Sequence, residues 1–544
     1  MTTTTEITPT ITSGPRGTAQ LYLPAGEEAA QDKYKYKYLI AIAVTLAAVL
    51  ELIDTSIVNV AIPHMMGNLG ATLDEISWVS TGYIIANVIV IPMSSWLSGY
   101  FGRKRYLTGS ILIFVAASFF CGAATSLGGL IFWRVVQGLG GGALLSTAQS
   151  TLFEAFPPRE VGIGQAMFGV GVMVGPTIGP TLGGYIVDNL SWPWIFYINI
   201  PLGIFAAFMV FEYVRDSLHQ KKSLTIDGTG IFLLALCVGS LQWMLERGER
   251  NDWFDSRFVT ALAVTSLVSF VLLIWRELTI KEPVIDLRVL MNRQLAAGVM
   301  MGAFLGFALY GSVFVLPVFL QGLHGFTANQ TGMVILPGAL ASAFTMAVVG
   351  RNSARLDARV TVPIGASLFL YSMWSLSLLT FDAGAQDLFW PLVARGVGLG
   401  LIFVPLTGAT MAELKTSELA QGTGMFNLTR QLGGSLGIAI SATLLSRFTA
   451  QARALLAEHV VVGDATTVAR VDAIARALVS RGMNVLSAKQ QALAIIDRQL
   501  QGQASVLAFS KLYLLSGLAL MASLPLLLLF HSGKSRGLGP GAAH

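Results

Sequence analysis

Apolar residues in this chain do not alternate with polar ones. They come in long runs separated by short polar clusters. Fourteen runs can be drawn, at roughly 38–62, 77–97, 106–126, 130–152, 163–186, 195–214, 227–246, 257–276, 295–320, 329–350, 360–380, 388–410, 421–445 and 506–530. Each holds about 20 residues or more, the length a helix needs to span a bilayer core of ~30 Å. In lipid the backbone must satisfy its hydrogen bonds within the chain, so runs of this kind predict helices. The fold class expected is all-α integral membrane, with fourteen transmembrane helices.

The polar clusters set the expected orientation. Arg103, Lys104, Arg105, Arg159, Lys221, Lys222, Arg351 and Arg355 fall on one side, whereas the short loops of the other side hold Arg247, Arg250 and Arg257. Short basic loops stay in the cytoplasm, so both termini are expected there. Residues 1–30 are Thr-rich and lack the apolar core of a signal peptide. The organisation expected is a disordered tail over 1–37, a six-helix bundle over 38–214, an inserted two-helix hairpin with flanking loops over 215–293, a second six-helix bundle over 294–530, and a cytoplasmic tail over 531–544. Residues 447–505, rich in Ala, Gln and charge, form the one sizeable segment expected outside the membrane.

Composition agrees. Charged residues make up 12% of the chain and mean hydropathy is +0.66, against a charged share of about 25% in soluble proteins. The pI near 9.1 does not signal nucleic acid, because the positive charge is spent on topology. Cys121 and Cys237 both lie in apolar runs, which leaves neither a disulfide framework nor a metal-ligand cluster. Gly533-Lys534-Ser535 lacks the phosphate-loop glycine, since Leu528 stands in its place. No catalytic motif is recognised, so neither an enzyme nor a cofactor is expected.

The sharpest chemistry lies in the first run. Asp54 would sit ~14 Å from Pro63 and ~22 Å from Leu39 along a helix rising ~1.5 Å per residue. A carboxylate at that depth costs ~3 kcal/mol on insertion scales and usually faces a polar cavity, where it does ion or proton work. Glu51 falls three residues earlier on nearly the same face. Arg134 opens the fourth run, where it either snorkels to the interface or, inside a cavity, pairs with a carboxylate. In the fifth run, Gly171, Gly175, Gly179 and Gly183 recur every four residues, with Pro176, Pro180 and Gly184 among them. Such a stripe permits close helix approach, and the prolines permit bending.

The stretch Asp54-Thr55-Ser56-Ile57-Val58-Asn59-Val60-Ala61-Ile62-Pro63 and the Gly-Pro pattern of the fifth run resemble the major facilitator superfamily. More narrowly, the chain is similar to its fourteen-helix drug:proton antiporters of the EmrB type, over nearly all of Leu39 to Phe530. The resemblance implies two six-helix bundles plus an inserted hairpin, with proton-driven export of hydrophobic drugs across a bacterial inner membrane. It implies proton coupling at Asp54, with Arg134 and Glu51 beside it, and a hinge that seals against proton leak in the fifth helix. Leu97-Ser98-Gly99-Tyr100-Phe101-Gly102-Arg103 resembles the family's cytoplasmic gating loop, which makes Gly102 and Arg103 gate candidates. The family's acidic residue is replaced there by Gly99. Asn59, Gln137, Asn427 and Arg430 are candidates to line the substrate cavity. The energy source implied is the proton gradient, and the partners implied are drugs, protons, the lipid bilayer, a periplasmic EmrA-like adaptor and an outer-membrane channel. The adaptor would use 447–505 as a contact; a solvated cap is the alternative. A proton-coupled exporter or symporter of one metabolite, or a membrane receptor, are the other functions these residues permit.

The halves look related. Arg134, Gly138, Gly140 and Met167 are echoed by Arg395, Gly398, Gly400 and Met425. Parallel six-helix repeats are a transporter architecture, with the substrate site at their interface.

Overall fold

The computed structural model describes residues 34–216, 226–381, 383–460 and 464–530. Of the tail expected over 1–37, residues 1–33 lie outside the described residues, while 34–36 form a turn and Lys37 opens the first helix. The tail expected over 531–544, with the Gly533–Ser535 stretch, also lies outside them. Among the described residues every regular element is helical. The long helices of the first part are α1 Lys37–Leu69, α2 Trp78–Phe101, α3 Arg103–Gly122, α4 Leu127–Ala155, α5 Val161–Asn189 and α6 Asn199–Tyr213. A hairpin follows, α7 Gly228–Arg247 and α8 Arg257–Thr279. The remainder is α9 Arg293–Gly322, α10 Ala328–Asn352, α11 Ala358–Ser377, α12 Ala385–Met411, α13 Leu419–Ala457, α14 Ala465–Val479 and α15 Val485–Ala522.

Twelve of the described helical segments are long and apolar enough to cross a membrane. The runs assigned to α4 and α13 fall outside that set, although the helices are 29 and 39 residues long. The physical reason is their surroundings. α4 carries Arg134, Gln137 and Gln149 and lies against α1, α2 and α3, while α13 carries Asn427 and Arg430 and lies against α9 and α15. A helix sheltered by protein need not be apolar all round. At the other extreme, α8 exposes Leu267, Val271 and Trp275, the signature of a face meant for lipid.

Helix pairings repeat. α1 packs on α5, α4 and α6, and α9 packs on α13, α12 and α15. α2 packs on α4 as α10 does on α12, and α3 on α4 as α11 does on α12. The two units meet through α5 with α10 and α12, and through α13 with α2 and α4. The α7–α8 hairpin leans on α2 and α13 through α7, at the seam between the units.

Glycine contacts fix the register of the repeat. Gly138 of α4 abuts the backbone carbonyl of Tyr83 in α2, and Gly396 of α12 abuts that of Gly338 in α10. A β-carbon on Gly140 would lie 2.9 Å from the Phe114 nitrogen of α3, and one on Gly398 would lie 3.0 Å from the Phe369 nitrogen of α11. One offset of 258 residues relates Gly138 to Gly396, Gly140 to Gly398 and Met167 to Met425. In that register the mate of Arg134 is Leu392, and Arg395 stands where Gln137 does. The pairing of Arg134 with Arg395 drawn from sequence is therefore one helical turn out. Backbone contact pins the glycines, whereas the arginine is free to drift between the halves.

The segment 447–505 is built largely from extensions of its neighbours. α13 continues to Ala457, α14 packs on α15, and α15 runs unbroken from Val485 into the last apolar run. Arg453 Nη2 donates to Asp497 Oδ1 at 2.7 Å, tying the two long helices together.

Candidate functional site

Asp54 is fully buried in α1, and Arg134 of α4 is 1% exposed. Arg134 Nη1 donates to Asp54 Oδ2 at 2.6 Å. Gln137, one turn further along α4, donates from Nε2 to Asp54 Oδ1 at 2.9 Å, and Asn199 of α6 donates from Nδ2 to the same oxygen at 2.8 Å. Arg134 is itself held. Its Nη1 also donates to Gln137 Oε1 at 2.7 Å, and its Nε donates to the Val79 carbonyl at 3.0 Å. Its guanidinium carbon lies 4.1 Å from the centre of the Tyr83 ring and 5.6 Å from that of Phe196. Two elements, α4 and α6, thus donate to one carboxylate, while α2 and the turn that holds Phe196 brace the guanidinium. Charge-assisted hydrogen bonds of this kind are the strong ones. In a dry site they make a closed, charge-neutral unit that one added proton would unbalance.

Glu51 lies on the same face of α1 but belongs to a different contact set. Asn87 of α2 donates from Nδ2 to Glu51 Oε1 at 2.8 Å, while Glu51 Oε2 is buried without a partner. Across the seam, Asn427 of α13 donates to Gln149 Oε1 of α4 at 2.6 Å. Arg430 Nη2 donates to Asn427 Oδ1 at 3.1 Å, whereas its Nε and Nη1 are buried with no partner. Gln149 donates in turn to Gln165 Oε1 of α5 at 3.3 Å. The structure therefore brings Gln137 into the Asp54 cluster and places Asn427 and Arg430 on an inter-unit polar chain. Asn59 joins neither. It is exposed, and accepts from Ser80 Oγ at 3.3 Å.

α5 is laid along the helix that carries both carboxylates. A β-carbon on Gly171 would lie 2.7 Å from Val49 Cγ2, on Gly175 2.9 Å from Leu52 Cβ, and on Gly183 2.8 Å from Ile57 Cγ1. Gly179 faces Ser56 still more closely. The stripe is a ruler for the stretch of α1 from Thr45 to Ile57. Gly184 lies off it, with open space where its side chain would be. Pro176 and Pro180 sit inside an unbroken helix. They remove the backbone bonds that would reach the Val172 and Pro176 carbonyls, which weakens α5 beside Asp54.

The turn between α2 and α3 defines a basic face. Gly102 adopts φ +84, a conformation that favours glycine. Arg103, 3% exposed, donates to Glu154 Oε1 of α4 at 2.7 Å. The Lys104 nitrogen donates to Asp216 Oδ1 at 2.9 Å. Asp216, just beyond α6, thus supplies a carboxylate at this turn, which Gly99 does not.

Asn199, Ser118, Asn87, Gln149, Gln165 and Asp216 escaped the sequence reading. Each is polar, and all but Asp216 stand within an apolar run. Asn199 lay in Ile198-Asn199-Ile200-Pro201, where interfacial aromatics dominate the pattern. Among the described residues no group of three or more His, Cys, Asp or Glu is placed to hold a metal ion.

Two repeated helical units, the first of them enclosing a sealed carboxylate–guanidinium pair, define a membrane transporter of the parallel-repeat class. The sequence profile described as Major Facilitator Superfamily matches residues 44–438. The multidrug export protein EmrB of Escherichia coli K12 is 32% identical over 93% of this chain and 98% of its own. The fatty acid resistance protein FarB of Neisseria gonorrhoeae is 31% identical over 91% and 97% respectively. The human organic anion transporter MFSD10 shares the fold, with a TM-score of 0.55 and 13% identity, covering 89% of this chain and 99% of that one. The chain belongs to the major facilitator superfamily, among its EmrB-like permeases.

Proposed function

We propose that this protein is a proton-coupled multidrug exporter, a drug:proton antiporter that moves hydrophobic small molecules out of the cell by alternating access. The observation that carries the reading is the Asp54–Arg134 pair, sealed from solvent and closed at 2.6 Å. Coupling needs a group whose charge changes as the cavity switches sides, and protonating Asp54 would release Arg134 from its partner. α5, flush against α1 through its glycines, would carry that change to the seam where it meets α10 and α12. Glu51 would tune the site, and Asn427 and Arg430 would line the substrate path. Fourteen spans are proposed, with α4 and α13 crossing inside the protein shelter, both termini and the basic face in the cytoplasm, and the chain in the bacterial inner membrane. The similarity to EmrB, a multidrug export protein, supports export, and that to FarB, a fatty acid resistance protein, supports apolar substrates. No cofactor is proposed beyond the proton gradient, nor any catalytic activity. An EmrA-like periplasmic adaptor and an outer-membrane channel are proposed as partners, with α14 and the adjoining helix ends as the contact.

The test is transport in proteoliposomes with an imposed pH gradient and ethidium as the fluorescent probe. Antiport requires ethidium and protons to move in opposite directions, each stimulating the other. Movement in the same direction would make the protein a symporter, and no movement of either would contradict the reading.

A further inference from the structure

Asp54 is surrounded by donors. Arg134, Gln137 and Asn199 each give it a hydrogen, and among the described residues nothing in contact with it is arranged to take one. That suits a carboxylate and leaves a carboxylic acid without an acceptor. Three neighbouring oxygens could serve. Gln137 Oε1 is already engaged by Arg134 at 2.7 Å. Ser118 Oγ already receives Gln137 Nε2 at 2.6 Å. Asn199 Oδ1 is buried and has no partner at all. A half-turn of the Asn199 amide would bring that idle oxygen to Asp54.

We infer that Asn199 is the positioning residue that answers the protonation of Asp54. It donates to the carboxylate and, after turning its amide, accepts from the acid. This rests on the proposed role of Asp54 as the proton site. Asn199 opens α6, which packs on α1 and α3, so the turn would be felt where three helices join. The other titratable groups facing Asp54 are Arg134 from α4, Tyr83 from α2, Cys121 from α3 and Glu51 on its own helix. α5 presents glycines there, and α6 and the turn before it present Asn199 and Phe196.

The test is infrared difference spectroscopy of the purified protein against pH, following the carbonyl stretch of the protonated acid, with Asp54→Asn assigning the band. Asn199→Leu removes a strong bond to the carboxylate and a weaker one to the acid. The protonation midpoint should rise by about one pH unit, a tenfold gain in proton affinity, and the acid band should shift in frequency because the hydroxyl has lost the Asn199 oxygen that accepts it. Asn199→Asp, nearly isosteric, covers the case in which Asn199→Leu does not fold. It sets a second carboxyl beside Asp54, so the pair should retain a proton to higher pH. Unmoved midpoint and band in both variants, with the band still lost in Asp54→Asn, would overturn the role of Asn199 alone. A band that persists in Asp54→Asn would overturn the Asp54 reading and this inference with it.

Discussion

Asn427 of α13 donates to Gln149 of α4 at 2.6 Å, a buried hydrogen bond that crosses from one six-helix unit to the other. Alternating access requires the units to part on each side in turn, so a bond across the seam favours the state in which it is made. Removing one is worth about 1 kcal/mol. Asn427→Ala should shift the balance of conformers about fivefold toward separation at this seam. Spin labels at the exposed Arg159 and Arg355, on the basic face, would register it as a larger long-distance population. An unchanged distance distribution would mean that the bond does not bias the cycle.

The glycine stripe makes a sharper forecast. Bulk at Gly175 or Gly183 meets α1 at 2.9 and 2.8 Å, whereas Gly184 has open space. Real β-carbons do not sit that close to a neighbour without displacing it, and forcing extra bulk into a packed contact costs about 1–3 kcal/mol. Gly175→Ala and Gly183→Ala should each cut transport tenfold or more, and Gly184→Ala should stay within twofold of the parent. Equal tolerance at the three positions would contradict a close-packed hinge.

On the basic face, Arg103 and Glu154 are a largely buried pair, and Asp216 satisfies a free nitrogen at the start of α3. Arg103→Ala strands Glu154 and should cost about 3 kcal/mol. Asp216→Ala removes a cap and should cost about 1 kcal/mol. Thermal unfolding in detergent should therefore rank the parent above Asp216→Ala, and that above Arg103→Ala. The reverse order would show that the pair is dispensable.

Much of this was legible in the chain. Long apolar runs placed the helices because lipid leaves the backbone no other partner. Asp54, Glu51 and Arg134 stood out because charge in such a run demands a reason. Periodicity put Gly171, Gly175, Gly179 and Gly183 on one face. The neutral members of the network were not legible: Asn199 and Gln149 cost too little in an apolar run to draw notice, and their partners lie far off in sequence. The repeat was misread by a turn because Arg134 and Arg395 are conspicuous, while the glycines that set the register are common. Asn59 belonged to the same run as Asp54, yet helical rotation carries it to an exposed position.

In the segment 447–505, α14 packs on α15 while α13 and α15 are joined by Arg453 and Asp497. Deleting residues 461–483 would remove α14 and keep both long helices. Proton exchange in vesicles should survive, and capture of a purified periplasmic adaptor should fall at least tenfold. Undiminished capture would assign docking to another surface.

The central claim is that Asp54 carries the coupled proton. Asp54→Asn keeps the size of the side chain and removes its charge change. The decisive measurement is proton release from the purified, folded protein on adding ethidium in weakly buffered solution. The account predicts release from the parent and none from Asp54→Asn, with ethidium still bound. Release from Asp54→Asn equal to that of the parent would contradict it.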